Sequence, residues 1–189
     1  MRPIATTRSA AGLPTGLLAV WWVVVSEIVI FGGLLASYIM HRLAHDAWTE
    51  QAAHTNTWIG AFNTFVLLTS SLTAVLGHQA AEQGNGRKAA RFLWMTVGGA
   101  TTFVAVKAFE WTTEIQAGYT LTSSTFWSFY YTAAGLHALH VIAGAIIMIF
   151  VATDAAKNRE LHRVELIGIY WHFVDIVWIF LFPLLYIAK

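Results

Sequence analysis

Residues 17–40 read LLAVWWVVVSEIVIFGGLLASYIM, and Glu27 is the one ionisable side chain among these 24 residues. A helix rises about 1.5 Å per residue and a bilayer's hydrocarbon core is about 30 Å thick, so about 20 apolar residues span it. The stretch meets that length. It is too long for the apolar region of a secretory signal, it contains Glu27, and no small-residue cleavage site follows it. It reads as a retained first span.

Four further blocks have the same character: 57–77 without an ionisable residue, 92–111 with Lys107 and Glu110, 126–153 with His137 and His140, and 164–187 with Glu165, His172 and Asp175. The joining segments are short and polar, and Gly84-Asn85-Gly86 is a turn signal. The expected fold is all-α: one polytopic membrane domain over residues 1–189, a bundle of five transmembrane helices. No internal repeat or low-complexity tract is visible.

Composition agrees. The chain has 189 residues, 57% apolar and 11% charged, with net charge +1 and no cysteine. Soluble domains carry about 25% charged residues, so an ordinary soluble globule is excluded, and so is a disordered chain. The charge offers no basic footprint for nucleic acid. The missing thiols exclude disulfides, iron–sulfur clusters and a c-type haem attachment.

Lys and Arg set the orientation. Arg2 and Arg8, then Arg87, Lys88 and Arg91, then Lys157, Arg159 and Arg163 fall on one side, eight of the eleven basic residues. Arg42 and Lys189 fall on the other. The N-terminus is expected in the cytoplasm and the C-terminus outside.

Ionisable groups inside a bilayer are costly and usually have protein partners. Glu27 lies about 15 Å into the first span at helical rise, near the midplane. Among valine, isoleucine and phenylalanine it is expected to be protonated unless a cation pairs with it. It is either a neutral carboxyl bonded to a neighbouring helix or a proton-linked, reactive one. On the fifth span Glu165 and His172 lie within about 20° of each other, and Asp175 about 60° from His172. His137 and His140 form a similar seam on the fourth span. The two seams are expected to meet as an interhelical polar network. The same residue types could ligate a metal or haem, but no Glu-x-x-His of the bundle di-iron kind occurs. Lys107 and Glu110, spaced i,i+3, can pair along one helix face near the outer surface. A lipid headgroup is their alternative partner. The pairs Gly32/Ala36 and Gly33/Ser37, with Ser70, Ser71, Gly98 and Gly99, are expected to mark close helix contacts.

Residues Tyr170-Trp171-His172-Phe173-Val174-Asp175-Ile176-Val177-Trp178 resemble the terminal signature of subunit III of haem–copper oxidases, with Glu165 at the family's upstream glutamate. Gly135-Leu136-His137-Ala138-Leu139-His140-Val141-Ile142-Ala143-Gly144 resembles its G-x-H-x-x-H-V-x-x-G segment. Asn63-Thr64 with Leu67 to Ser71, Ser26-Glu27 with Phe31, and Phe109-Glu110-Trp111 resemble further blocks, in the right order. The likeness is to the five-helix bacterial form. The family often has glutamine where Lys107 stands, and an Asp-Gly-x-Tyr-Gly-Ser stretch where this chain reads Leu121-Thr122-Ser123-Ser124-Thr125-Phe126.

The resemblance implies a non-catalytic subunit of a respiratory oxidase that reduces oxygen to water. It assigns this chain no catalytic residue, metal ligand, haem or copper; those cofactors belong to partner subunits. It implies packing on subunit I, contact with subunit II and a small subunit IV, bound phospholipid, a role in proton uptake and lasting turnover, and a bacterial inner (plasma) membrane. By the same likeness Glu27 is the carbodiimide-reactive carboxyl. A subunit of a quinol oxidase or a nitric oxide reductase is the neighbouring reading. A small proton channel and a membrane metal or haem enzyme are readings of other classes.

Overall fold

The computed structural model describes residues 15–44 and 48–188. Arg2, Arg8, His45, Asp46 and Lys189 lie outside the described residues. The helices are α1 (Thr15–Ala44), a short α2 (Trp48–Ala52), α3 (Thr57–Glu82), α4 (Gly86–Gln116), α5 (Thr125–Ala156) and α6 (His162–Phe182), followed by a π-helical turn, Pro183–Ile187. No strand occurs among the described residues. Five helices are long and apolar enough to cross a membrane. Each, with the π-helical turn counted into the fifth, is longer than its apolar block alone, because a helix satisfies every internal backbone group where water is absent and continues into the interface.

Side-chain caps set the starts. Asn56 accepts from the N–H groups of Trp58 and Ile59 at 3.0 and 3.3 Å. Asn85 accepts from Lys88 at 3.1 Å and Ser124 from Trp127 at 3.4 Å. Each supplies an acceptor to N–H groups that have none within the helix. The turn before α4 needs Gly84, whose φ is +72°. It also needs Gly86, because a Cβ there would collide with the Ala155 carbonyl of the neighbouring hairpin.

α3 to α6 form the packed body. The α3–α4 crossing is close because Gly99 faces Ser70, and a Cβ at Gly99 would stand 2.7 Å from that of Ser70. Thr73 and Thr96 bond across the same crossing at 2.7 Å. α6 sits between α3 and α5, with Trp171 and Trp178 fully buried. Their indole N–H groups donate to Ser70 Oγ at 3.2 Å and Thr64 Oγ1 at 2.9 Å. Gly144 lets α6 approach α5, since a Cβ there would press on Tyr170 and Trp171.

α1 is attached more sparsely. Its buried residues are Val24, Phe31 and Tyr38, one per two turns, which makes a single narrow seam. Gly32 and Gly33 have nothing near the place a Cβ would take. The expected close contact at these glycines is therefore absent within the described chain; they face away from the bundle.

Pro183 has no N–H to continue the α-helical ladder. The following turn is wider, closed by Ala188 N–H donating to the Pro183 carbonyl at 2.8 Å. Carbonyls in this turn accept from other elements: Leu184 from Tyr38 at 2.6 Å, Leu185 from Thr55 at 3.3 Å and Tyr186 from Thr57 at 3.0 Å.

The α3–α4 crossing gives a paired prediction. Gly99→Ala should destabilise by about 1–3 kcal/mol, as overpacking does. Gly98→Ala has open space around it and should be neutral or stabilising by up to about 1 kcal/mol. Thermal unfolding of the two purified variants checks the contrast; equal midpoints would mean that Gly99 is no contact point.

Candidate functional site

Glu27 faces away from the main body of α3 and α4, toward the seam between α1, α5 and α6. Its Oε2 lies 3.1 Å from His140 Nε2, and both side chains are largely covered, 16% and 18% exposed. His140 is one helix-turn below Gly144, where α6 approaches α5 closely. The opposite ring nitrogen, Nδ1, is 2.7 Å from the Leu136 carbonyl. Phe31 packs edge-on against the ring, centroids 5.4 Å apart. Tyr170 on α6 donates to the His140 carbonyl at 3.4 Å.

The Leu136 carbonyl determines the tautomer. A carbonyl only accepts, so Nδ1 must carry a hydrogen. In the neutral ring Nε2 is then a bare lone pair beside a carboxyl oxygen. The two atoms stand 3.1 Å apart without the geometry of a formed hydrogen bond, and a proton between them would relieve the repulsion of two lone pairs. It is held as Glu27 carboxylic acid donating to neutral His140, or as His140 imidazolium donating to Glu27 carboxylate. No residue within one helical turn of Glu27 is basic. The structure supplies an imidazole partner from α5, 113 positions later in the sequence.

The other expected residues divide differently from the two-seam reading. His172 turns toward α3, its Nδ1 2.7 Å from Ser71 Oγ. Asp175 is buried beside Ser71 without a well-formed hydrogen bond to either carboxylate oxygen. His137 is fully buried with neither ring nitrogen bonded; it stacks on Trp178 at 5.1 Å and meets Phe103 edge-on at 5.4 Å. Glu165 is exposed, in a small cleft with His78, Glu82 and His162. His137, His140, Glu165, His172 and Asp175 thus do not form one network. The reason lies in α6: its tryptophan stripe must place two indole N–H groups on α3 acceptors, and that rotation carries His172 and Asp175 toward α3 rather than α5.

A second polar centre lies between α4, α5 and the π-helical turn. Lys107 Nζ is 2.9 Å from Glu110 Oε2, 3.1 Å from Tyr130 OH and 2.6 Å from Tyr186 OH. Tyr130 donates to Glu114 Oε1 at 3.0 Å. Lys107 and Glu110 are 1% and 2% exposed. Glu110 is therefore not at the outer surface, and Lys107 does not reach a lipid headgroup; aromatic rings and carboxyls enclose both. Sequence reasoning missed Glu114, Tyr130 and Tyr186. The spacing 107, 110, 114 was the available signal, because it places all three side chains on one helix face. Among the described residues no group of three or more His, Cys, Asp and Glu side chains is arranged to hold a metal ion.

Comparison with known sequences bears on the family. The family described as "Cytochrome c oxidase subunit III" matches residues 5–189. A cytochrome c oxidase subunit 3 of Thermostichus vulcanus is 32% identical over 168 residues, covering 86% of this chain and 82% of that protein. One from Corynebacterium diphtheriae is 33% identical over 170 residues, covering 86% and 83%. A haem–copper oxidase subunit I+III of Aeropyrum pernix is 30% identical over 181 residues, which is 90% of this chain but 22% of that protein.

If one proton joins Glu27 and His140, the two side chains must be energetically coupled. A double-mutant cycle with Glu27→Leu and His140→Leu should return a coupling of about 0.6 kcal/mol, the mean found for interhelical bonds in membranes, and not above about 1.7 kcal/mol. Unfolding of the purified variants in detergent measures it. Strictly additive losses would show that the contact contributes nothing.

Proposed function

The chain belongs to the cytochrome c oxidase subunit III family, and on that premise we propose how it serves a haem–copper oxidase. It is a multi-pass membrane protein and the subunit III of such an enzyme. Haem and copper reside in partner subunits, and this chain contributes no catalytic residue to oxygen reduction. Its principal contact is subunit I. The fused subunit I+III relative supports this, because one chain carrying both parts keeps them close together. Contacts with subunit II and a small subunit IV are further parts of the proposal.

Its N-terminus faces the cytoplasm and its C-terminus the outside of a bacterial plasma membrane. The support is the basic bias at the α3–α4 and α5–α6 turns, where Arg87, Lys88, Arg91, Lys157, Arg159 and Arg163 cluster. Bound phospholipid accompanies the subunit. The support here is an apolar groove between α1, α5 and α6, lined by Val20, Val23, Ile147 and Leu166 with Arg163 at its rim.

The role we assign to Glu27 is proton-linked. The observation that carries this is the Glu27–His140 contact, which accommodates one proton whose position differs between two charge arrangements. A proton with two resting places can respond to charge movement in subunit I, and so support proton uptake during sustained turnover. An interhelical bond with a fixed proton is the competing role.

Glu27→Gln separates the two. Its amide donates to the bare Nε2 of His140, so shape and bond survive while the movable proton is lost. The variant should stay in the purified complex at wild-type stoichiometry. Initial oxygen reduction should be near normal, while the number of turnovers before inactivation falls severalfold. Wild-type endurance would leave the bond a structural one. Loss of all activity from the first turnover would place Glu27 in the chemistry itself.

A further inference from the structure

We infer that Glu114, inside the cluster of Lys107, Glu110, Tyr130 and Tyr186, is a buried proton-binding site at the loop end of the bundle. The inference concerns the second polar centre and does not rest on the role proposed for Glu27.

The ammonium comes first. Lys107 Nζ has three polar neighbours within hydrogen-bond distance, one carboxylate and two phenol oxygens. Ring centroids of Tyr130, Tyr186, Trp111 and Trp178 stand 4.9, 5.3, 5.5 and 5.7 Å from it. Three acceptors match the three N–H bonds of an ammonium, and ring faces attract a cation. Lys107 is therefore charged, and Glu110, at 2.9 Å, is its counter-ion.

That pair is neutral, and Glu114 stands outside it. Glu114 is one helical turn beyond Glu110 on the same face of α4 and is 7% exposed. The titratable groups that face the cluster are Lys107 and Glu110 from α4, Tyr130, Tyr131 and His137 from α5, and Tyr186 from the π-helical turn. None is a second basic side chain able to balance another carboxylate; His137 is enclosed by Trp178 and Phe103. An ionised Glu114 would leave a net negative charge without a counter-ion in a closed apolar shell, which is costly. A proton removes that charge.

The hydrogen-bond pattern has a place for it. Tyr130 OH receives Lys107, lies 3.0 Å from Tyr186 OH, and donates to Glu114 Oε1. The other oxygen, Oε2, is buried near Tyr131 without a well-formed hydrogen bond, and Glu110 Oε1 is buried without one too. One carboxylic acid and one carboxylate on adjacent turns provide a donor and an acceptor at these two open positions. Glu114 also lies two residues before the end of α4. The following loop is tied to α5 by Tyr131 OH donating to the Tyr119 carbonyl at 2.8 Å.

Infrared spectra of the assembled oxidase test this directly. Wild-type complex should show a protonated-carboxyl C=O stretch, one carboxyl per subunit, that disappears in Glu114→Gln. That variant mimics the neutral acid and should remain stably bound in the complex. In Glu110→Gln the same band should also disappear, because Lys107 then takes Glu114 as its counter-ion. A spectrum unchanged by Glu114→Gln overturns the inference. So does a Glu114 band that persists in Glu110→Gln, since the proton would then not be set by the charge of Lys107. Should Glu110→Gln fail to assemble, the comparison of wild type with Glu114→Gln still decides.

Discussion

Lys107 is a charge that cannot reach water, and much of the bundle's loop end is arranged around that fact. A lysine stem can usually carry its ammonium to the membrane surface. Here α5 and the π-helical turn close over it, so the protein itself must supply the solvation. Glu110, two phenol oxygens and four ring faces do so. Each comes from a different packing requirement, and together they bind α4, α5 and the segment after α6. Removing one partner would strand a buried cation, which is why such a group rigidifies the elements that hold it.

The two polar centres differ in attachment. The Lys107 group lies within the packed body, where side chains interlock closely. Glu27 and His140 lie where α1 meets that body along one narrow seam. A single short contact carries much of α1's polar attachment at mid-height, while Tyr38 secures the helix near the other end through the Leu184 carbonyl. The tautomer of His140 is set by its own helix, independently of α1.

The fold was legible because length and apolarity are local properties. Five blocks of about 20 apolar residues can be counted without knowing any contact, and the turn at Gly84-Asn85-Gly86 carries its own chemistry. The polar partnerships were less legible, since they depend on rotation of each helix about its axis. Helical spacing placed His172 and Asp175 together correctly as a face of α6. It could not say that the face turns toward Ser71, because the tryptophan N–H groups of the same helix set the rotation through acceptors on α3. The pairing of Lys107 with Glu110 was readable at i,i+3. Tyr186 was not, because only the wider turn after Pro183 carries its hydroxyl to Lys107.

That turn has a consequence for how the chain is made. Tyr186 follows Lys107 by 79 residues, so a ribosome delivers α4 to the membrane well before the hydroxyl that completes its solvation. Until then Lys107 has Glu110 beside it and, once α5 arrives, Tyr130. The carbonyls of Leu184, Leu185 and Tyr186 likewise provide late acceptors for Tyr38, Thr55 and Thr57 from the first third of the chain. These bonds therefore form only after the segment following α6 is in place. A nascent subunit that has not finished synthesis carries a recognisably incomplete interior, the kind of difference a membrane protease can read.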